Sequence, residues 1–406
     1  MSLTDQEFRA KLEQHFSQYR INLRCPLAFH VKPNRWYRVD ILLVNELGLF
    51  RRSDIEPDGQ VTVACSLQTP SETGITPLEE NNDHDWDIEL APAPSFQNGQ
   101  LAKDPAPIPG FYRSGRGAFL YRIQPKHEHV KSGKRFLRIQ SNSKFATTIQ
   151  SLTVGPIMID PDWQPENADT SLPLELWNNY PQEMVHDGYR VFSNGQVAIH
   201  EMWDTGIPGK IWDSALVTLE VMKRMYEYHP EYLSSKHTLD LSAGTGLLGL
   251  YTASIMGSCS VEKGKVTMTE LEEAVELIDK NVKVNQHLAK RCDLKTRELA
   301  WGNKEQAEQC SKADLIIASD VLYEAHFFED LVKTLVDLSK DTTRIYIGYK
   351  RRGFSQEEEQ MFWNLCESNG FQVILLEYDR NQDVDDILVP PIAVEIGVQI
   401  YRLLPV

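Results

Sequence analysis

The sequence is poor in organised cysteine: Cys25, Cys65, Cys259, Cys292, Cys310 and Cys366 are scattered over 406 residues, with no C-x-x-C pair. No histidine stands at zinc-ligand spacing from them, so the thiols read as reduced structural groups, and a zinc module is excluded. No apolar run approaches the roughly 20 residues that span a bilayer. The opening "MSLTDQEFRAKLEQHF" is charged where a secretory leader would carry its apolar stretch. A soluble intracellular protein is therefore expected, in the cytoplasm and also in the nucleus. Positive charge is also short: 42 Lys plus Arg stand against 58 Asp plus Glu, a formal net charge of −16. Such a field repels nucleic acid and favours basic partners, so neither nucleic acid nor a membrane is expected as a partner. None of these features speaks to oligomeric state.

Hydrophobic residues at 41% and charged residues at 25% match folded globular chains, and the length suits two cores rather than one. Thr4 and Glu7 form a capping box, and Phe8, Leu12 and Phe16 follow at helical spacing, which predicts a short amphipathic helix. From Trp36 the period changes. "RWYRVDILLVN", "QVTVACSL", "GAFLYRIQ", "KRFLRIQ" and "ATTIQSLTVGPIMI" are β-branched and aromatic stretches bounded by Gly, Pro, Asn and Asp, the pattern of an antiparallel β-sandwich. An insert over 69–109, with "EENNDHDWD" and "APAPSFQNGQLAKDPAPIPG", reads as a mobile loop. The Pro-, Asn- and Asp-rich stretch 160–181 reads as a boundary, giving domains at 1–160 and 191–406 with a linker at 161–190.

From about 212 onward short apolar runs, "TLDLS", "KVTMTE", "ADLIIASD" and "RIYIGYK", alternate with helical patterns, as a doubly wound parallel sheet requires. Leu271, Val275, Ile278 and Val282 share one predicted helix face; Phe328, Leu331, Leu335 and Leu338 share another.

"LDLSAGTGLLGL" (239–250) holds G-x-G-x-x-G at Gly244, Gly246 and Gly249, where the first strand of that sheet turns into a helix. Ligands of open α/β sheets sit at such turns, and the absence of a following Gly-Lys-Ser/Thr excludes a Walker A loop. A dinucleotide or another adenosine ligand remains. Asp240 weighs against the dinucleotide, because a carboxylate beside the turn repels a pyrophosphate and attracts an ammonium group; the competing reading makes it a cap for the next helix. Glu270 ends the second strand, where an acid can accept ribose hydroxyls or serve as the first-turn acid of the following helix.

"KIWDSALV", "LDLSAGTGLLGL", "VTMTELEEAVELIDKNVKVN", "LAWGN" and "ADLIIASDVLYEAHFFEDLVKTL" come in an order and spacing that resemble the family 16 seven-β-strand methyltransferases, which modify protein lysines. The resemblance covers roughly 195–404 and implies a seven-stranded Rossmann-like domain, with "EIGVQIYRL" antiparallel beside the fifth strand. It implies S-adenosylmethionine as cofactor, held by Trp212, Asp240, Ser242, Gly244, Gly246, Glu270, Trp301 and Ser319. Asp320 would orient an entering amine and Tyr323 would line its channel. Where the family has Glu-x-Gly this chain has Asp240 and Ser242, and "GSCSVEKGK" is longer than the family's segment. Simpler readings make Trp212 and Trp301 core side chains, Asp320 an N-cap, Tyr323 a packed ring and "YKRR" (349–352) a solvated basic run. The resulting expectation is an S-adenosylmethionine-dependent protein-lysine N-methyltransferase acting on a lysine in a basic segment, with the N-terminal half as its docking domain. The alternatives are a methyltransferase for a small amine or another side chain, and a binding module on a non-catalytic scaffold. A nicotinamide dehydrogenase is least supported, having no histidine motif for hydride chemistry.

Overall fold

The computed structural model describes residues 18–51, 61–71, 74–75, 83–97, 100–105, 109–112, 114–142, 149–163, 183–192, 196–233, 237–256, 263–290, 292–377 and 389–406. The helix expected near the N-terminus and most of "GSCSVEKGK" lie outside these residues. The chain divides into two compact units between His200 and Glu201.

The first unit is a β-sandwich. One sheet runs in the order Gly110–Phe111, Arg116–Pro125, Trp36–Val44, Tyr19–Leu23, Ile149–Gln150; the other runs Val197–His200, Gly188–Phe192, Leu152–Ile159, Gly133–Ser141, Val63–Gln68. Alternation along the strands explains the layering. Tyr37, Val39, Ile41 and Leu43 point one way, as do Phe119, Tyr121 and Ile123 on the neighbouring strand. They share one core with Leu137, Ile139, Val154 and Ile157 of the second sheet.

Two expectations change here. The insert is not wholly loop, because Trp86–Pro92 forms a strand paired with Arg116–Pro125 in the register Ile123↔Ile88. Within "DWDIEL" the apolar residues alternate, and Trp86 is buried in the core while Asp87 and Glu89 face water. The boundary also lies later than 161–190. Gly188–Phe192 and Val197–His200 continue the second sheet, with Thr153 opposite Tyr189, so this hairpin is part of the sandwich.

The second unit carries strands β1 His237–Leu241, β2 Gly264–Glu270, β3 Cys292–Glu298, β4 Ala313–Ser319, β5 Ser339–Lys350, β6 Phe371–Leu376 and β7 Val398–Pro405. Their order in the sheet is β3-β2-β1-β4-β5-β7-β6. β1 to β5 pair in parallel, and β7 runs antiparallel between β5 and β6, with Ile345 opposite Leu403. Helices α1 Asp213–Tyr228, α2 Leu247–Met256, α3 Glu272–Val284, α4 Lys304–Cys310, α5 Phe328–Leu338, α6 Gln356–Ser368 and α7 Pro391–Ile396 complete it. Strand order reverses between β1 and β4, so connections leave their carboxyl ends in opposite directions and open a crevice there.

The helix faces follow from the residues that reach the sheet. On α5 Phe328, Leu331, Leu335 and Leu338 are buried as the spacing predicts. On α3 the buried face is Ala274, Leu277, Ile278 and Asn281 instead, while Leu271 precedes the helix and is exposed. Asn281 donates Nδ2–H to the Thr245 carbonyl at 2.8 Å, so a polar residue occupies a position that an apolar count assigns to a hydrophobe.

Candidate functional site

The turn after β1 is built from left-handed backbone. Ser242, Gly244 and Gly246 have φ of 57°, 54° and 80°. Three such residues within five reverse the chain before α2 begins. A side chain at Ser242 in this conformation costs roughly 1–2 kcal/mol. Its hydroxyl accepts the Trp301 Nε1–H at 3.0 Å, which offsets part of that cost and ties the turn to the segment after β3. The third glycine serves packing: a Cβ at Gly249 would sit 2.4 Å from Cγ of Met268 on β2. Only the early part of the G-x-G-x-x-G stretch therefore faces a ligand site.

Asp240 is placed differently from the sequence expectation. Its carboxylate lies beneath the turn, buried, where Oδ2 accepts the Gly249 N–H at 2.7 Å. It anchors the first turn of α2 and does not line the crevice, so no ammonium of a ligand is offered to it. The physical reason is the end of the strand: alternation alone would put 240 and 242 on one face. Ser242 lies past Leu241 with left-handed backbone, so the chain has already turned and its side chain reaches the cavity, while Asp240, still in the strand, points to the Gly249 amide of α2. Burial pushes the Asp240 carboxyl up to about 7; the Gly249 bond opposes this and the charge of Glu270 adds to it.

Above the turn lies a cavity of about 490 Å³, a size suited to a cofactor. Its floor is the backbone from Ser242 to Thr245 with Leu247 and Leu248; Glu270 and Leu271 form one wall. Trp301, Tyr323 and Phe327 form another, with ring centroids 5.8 Å apart for Trp301–Tyr323, 6.0 Å for Trp301–Phe327 and 6.2 Å for Tyr323–Phe327. Trp212, the residue before α1, closes a third side, its Nε1–H donated to the Ile207 carbonyl at 2.9 Å. Both tryptophans thus line the cavity. Glu270 Oε2 accepts the Leu271 N–H at 2.7 Å, and burial raises its carboxyl against the lowering effect of the Leu271 and Gly244 amides. Ser319, the last residue of β4, also lines the cavity; Gly246 does not.

The charges around this cavity decide what it can hold. Glu270, Glu273, Asp320 and Asp330 line it, against two cations, Lys210 and Arg352. Arg352 is engaged by Asp320, and the Lys210 ammonium lies 5.3 and 5.2 Å from the Trp203 and Trp212 rings. No cationic cradle for a pyrophosphate is present among the described residues. The lining fits an adenosine ligand that is cationic and free of phosphate, such as S-adenosylmethionine. The acidity assigned to Asp240 is thus supplied by these four carboxylates. Among the described residues no three His, Cys, Asp or Glu side chains converge as a metal site.

Asp320 follows β4 with φ of 55°. It does not cap a helix, since Glu324 is the N-cap of the next turn. Its N–H bonds the Gly348 carbonyl at 2.8 Å, and Oδ1 accepts the Lys350 N–H at 3.3 Å. Arg352 meets it with both arms, Nη1 to Oδ1 at 2.6 Å and Nη2 to Oδ2 at 2.8 Å, while its guanidinium lies 4.9 Å from the Trp212 ring centre. Tyr323 is 45% exposed, and burial of the rest of the ring, then Glu270 and Glu324, raise its hydroxyl, which stays protonated at neutral pH.

The basic run "YKRR" is ion-paired: Tyr349 and Lys350 are buried and Arg352 is half-buried, and only Arg351 is exposed as the solvated reading expects. Lys350 Nζ bonds buried Asp213 Oδ2 at 2.7 Å, Arg351 pairs with Glu359, and Arg352 takes Asp320. Tyr349 donates to the same Glu359 at 2.8 Å. Sequence reasoning missed these partners. The signal available was position: three cations in succession at the carboxyl end of a strand beside β4.

Residues 191–369 match a family model described as lysine methyltransferase. The mouse protein N-lysine methyltransferase METTL21A is 29% identical over 196 residues, covering 48% of this chain and 82% of that protein. The yeast (Saccharomyces cerevisiae) protein-lysine N-methyltransferase EFM6 is 26% identical over 185 residues, covering 41% and 72%. A Xenopus tropicalis EEF1A lysine methyltransferase 3 is 26% identical over 220 residues, covering 52% and 88%. The chain thus matches the lysine methyltransferase family over 191–369, and with the seven-stranded sheet and the phosphate-averse cavity these matches support S-adenosylmethionine-dependent methyltransferase activity for the α/β unit.

Proposed function

We propose that this protein transfers methyl groups from S-adenosylmethionine to the side-chain amine of a lysine in a protein substrate. The observation that carries the reading is the meeting, in one cavity, of the left-handed turn 242–246, the Glu270 carboxylate and the acceptor group Asp320 with Tyr323. The names of the relatives support it from outside the structure, since each is a protein-lysine methyltransferase. Bound cofactor would supply an electrophilic methyl on a sulfonium. Gly244 and Ser242 would let its backbone-facing side approach, Glu270 would accept ribose hydroxyls, and Trp301 and Trp212 would flank it.

The remaining work belongs to the chain's own side chains. A lysine with a pKa near 10.4 costs roughly 4 kcal/mol to hold neutral at pH about 7.4, so the site must receive an amine and favour its uncharged form. Asp320 offers oxygen acceptors at the carboxyl end of β4, Tyr323 a ring and a protonated hydroxyl, and Phe327 with Trp301 exclude water beside them. Glu270, Glu273 and Asp330 on the lining, with Glu272, Glu276 and Asp279 against Lys280 and Lys283 on the adjoining face of α3, leave the surroundings net acidic and favour a substrate whose lysine lies in a basic segment. Incubation of the protein with methyl-labelled S-adenosylmethionine and a cell lysate should place label in protein, recovered as methyl-lysine after hydrolysis. Label confined to small metabolites or to another amino acid would overturn the reading.

A further inference from the structure

Asp320 has a feature that a simple amine acceptor would not need. Both carboxylate oxygens are taken by the Arg352 fork, at 2.6 and 2.8 Å, inside the cavity lining. An unpaired carboxylate there would stabilise an entering lysine as ammonium, which raises the amine's pKa and opposes the loss of the proton that methyl transfer requires. A guanidinium bound side-on to that carboxylate cancels its charge while leaving oxygen lone pairs to accept from a neutral amine.

We infer that Arg352 is a positioning residue whose charge, delivered through Asp320, keeps the acceptor end of the cavity electrically neutral and so lets the substrate lysine bind in its deprotonated, nucleophilic form. The inference rests on the lysine-methylation reading above. The architecture around the pair is built to hold the fork in place. Lys350 is anchored on Asp213 of α1 and Arg351 on Glu359 of α6, so the two residues before Arg352 are pinned to two different helices. Trp212 lies under the guanidinium at 4.9 Å, a stacking surface that lysine would use less well than arginine. The other ionisable groups facing this space are Lys210 from the segment before α1, Glu270 and Glu273 at the β2–α3 turn, Tyr323, and Asp330 of α5. They are common to wild type and variants, so a difference between profiles reports Arg352.

The step is a direct displacement. The lysine nitrogen lone pair forms the new N–C bond as the C–S bond breaks, the sulfonium becomes a thioether, and the proton lost beforehand goes to solvent.

The test is the pH dependence of kcat, which reports groups in the enzyme–substrate complex, for wild type, Arg352→Met, Arg352→Gln and Arg352→Lys, with a lysine peptide found to be methylated. Cofactor affinity by calorimetry checks that each variant is folded. Removing the charge in Met and Gln should move the rising limb up by roughly one pH unit or more. Turnover at pH about 7.4 would then fall about tenfold, recover towards wild type at high pH, and leave KM unchanged or lowered. The Lys variant keeps the charge and should keep the wild-type limb. Parallel profiles of reduced height in Met and Gln would mean that Arg352 only braces Asp320, and faster turnover at every pH would mean that it blocks the site; either result overturns the inference. Absence of methyl-lysine from the wild-type enzyme at all pH values would instead sink the parent reading and this one with it.

Discussion

Both units bury cations, and they use them in opposite ways. In the sandwich, Arg190 donates Nη1 to the Ile21 and Ser151 carbonyls at 2.7 and 2.9 Å and Nη2 to the Asn22 side chain. A guanidinium bound to backbone carbonyls of neighbouring strands joins the sheets and is shielded from any ligand. In the α/β unit, Lys350, Arg351 and Arg352 each bind a carboxylate at the carboxyl end of β5, and the last of them lines the cavity. The first arrangement satisfies backbone groups; the second sets the charge of a site. A buried ion pair is thus read by its partner and by what lies next to it.

Four substitutions would break or sharpen that contrast. Arg190→Met leaves carbonyls of two strands unpaired in the sandwich, and should cost about 3–4 kcal/mol of stability by denaturant unfolding. Cofactor affinity should stay within a few fold, and a large loss of it would blur the distinction between the units. Asp320→Ala removes the acceptor of the other arrangement, with a fall in methyl transfer of at least about 100-fold, on the order of 2.7 kcal/mol. Calorimetric affinity for S-adenosylmethionine should again move only a few fold, and retained turnover would refute the role given to Asp320.

Asp240→Asn comes next. The carboxyl rises from 3.8 in the unfolded chain to about 7 in the folded one, so the folded state holds the proton more tightly. Wild-type stability is therefore highest below pH 3.8 with respect to this group, falls as pH rises towards 7, and is flat above it. The full shift corresponds to about 4 kcal/mol. Asparagine can still accept the Gly249 N–H and carries no titration, so the variant should gain roughly 2 kcal/mol over wild type at pH 8 and progressively less towards pH 4. A constant difference across that range, in thermal or chemical unfolding, would contradict the burial of an ionisable Asp240. Smallest is Ser242→Gly, which relieves the left-handed serine and removes its bond to Trp301; the two effects oppose, and the net change should stay within about 1 kcal/mol. A loss of cofactor affinity beyond a few fold would assign Trp301 orientation to that hydroxyl.

Much of the α/β unit is legible in the sequence. The apolar runs "TLDLS", "KVTMTE", "ADLIIASD" and "RIYIGYK" lie on strands that end at Leu241, Glu270, Ser319 and Lys350, and Phe328, Leu331, Leu335 and Leu338 form the buried face of α5. Period and glycine placement carry that information locally. The α3 face was misread because its core position 281 is an asparagine satisfied by a carbonyl 36 residues away. The strand Trp86–Pro92 was hidden among acids and prolines whose composition outweighs a short alternation. In the site, Trp212, Ser242, Gly244, Glu270, Trp301, Ser319, Asp320 and Tyr323 all reach one cavity, whereas Asp240 and Gly246 stand behind it.

The sequence by itself determined the alternation of strands and helices, the left-handed turn that glycines at 244 and 246 permit, and the sign of the charge around it, because each depends on near neighbours or on composition. Only the tertiary structure decided that Asp240 supports a helix rather than a ligand, and that Asp320 meets Arg352, 32 residues on, and Lys350 meets Asp213, 137 residues back. Such pairings are set by which strand ends the sheet order brings together. Side-chain spacing along the chain carries no record of that order.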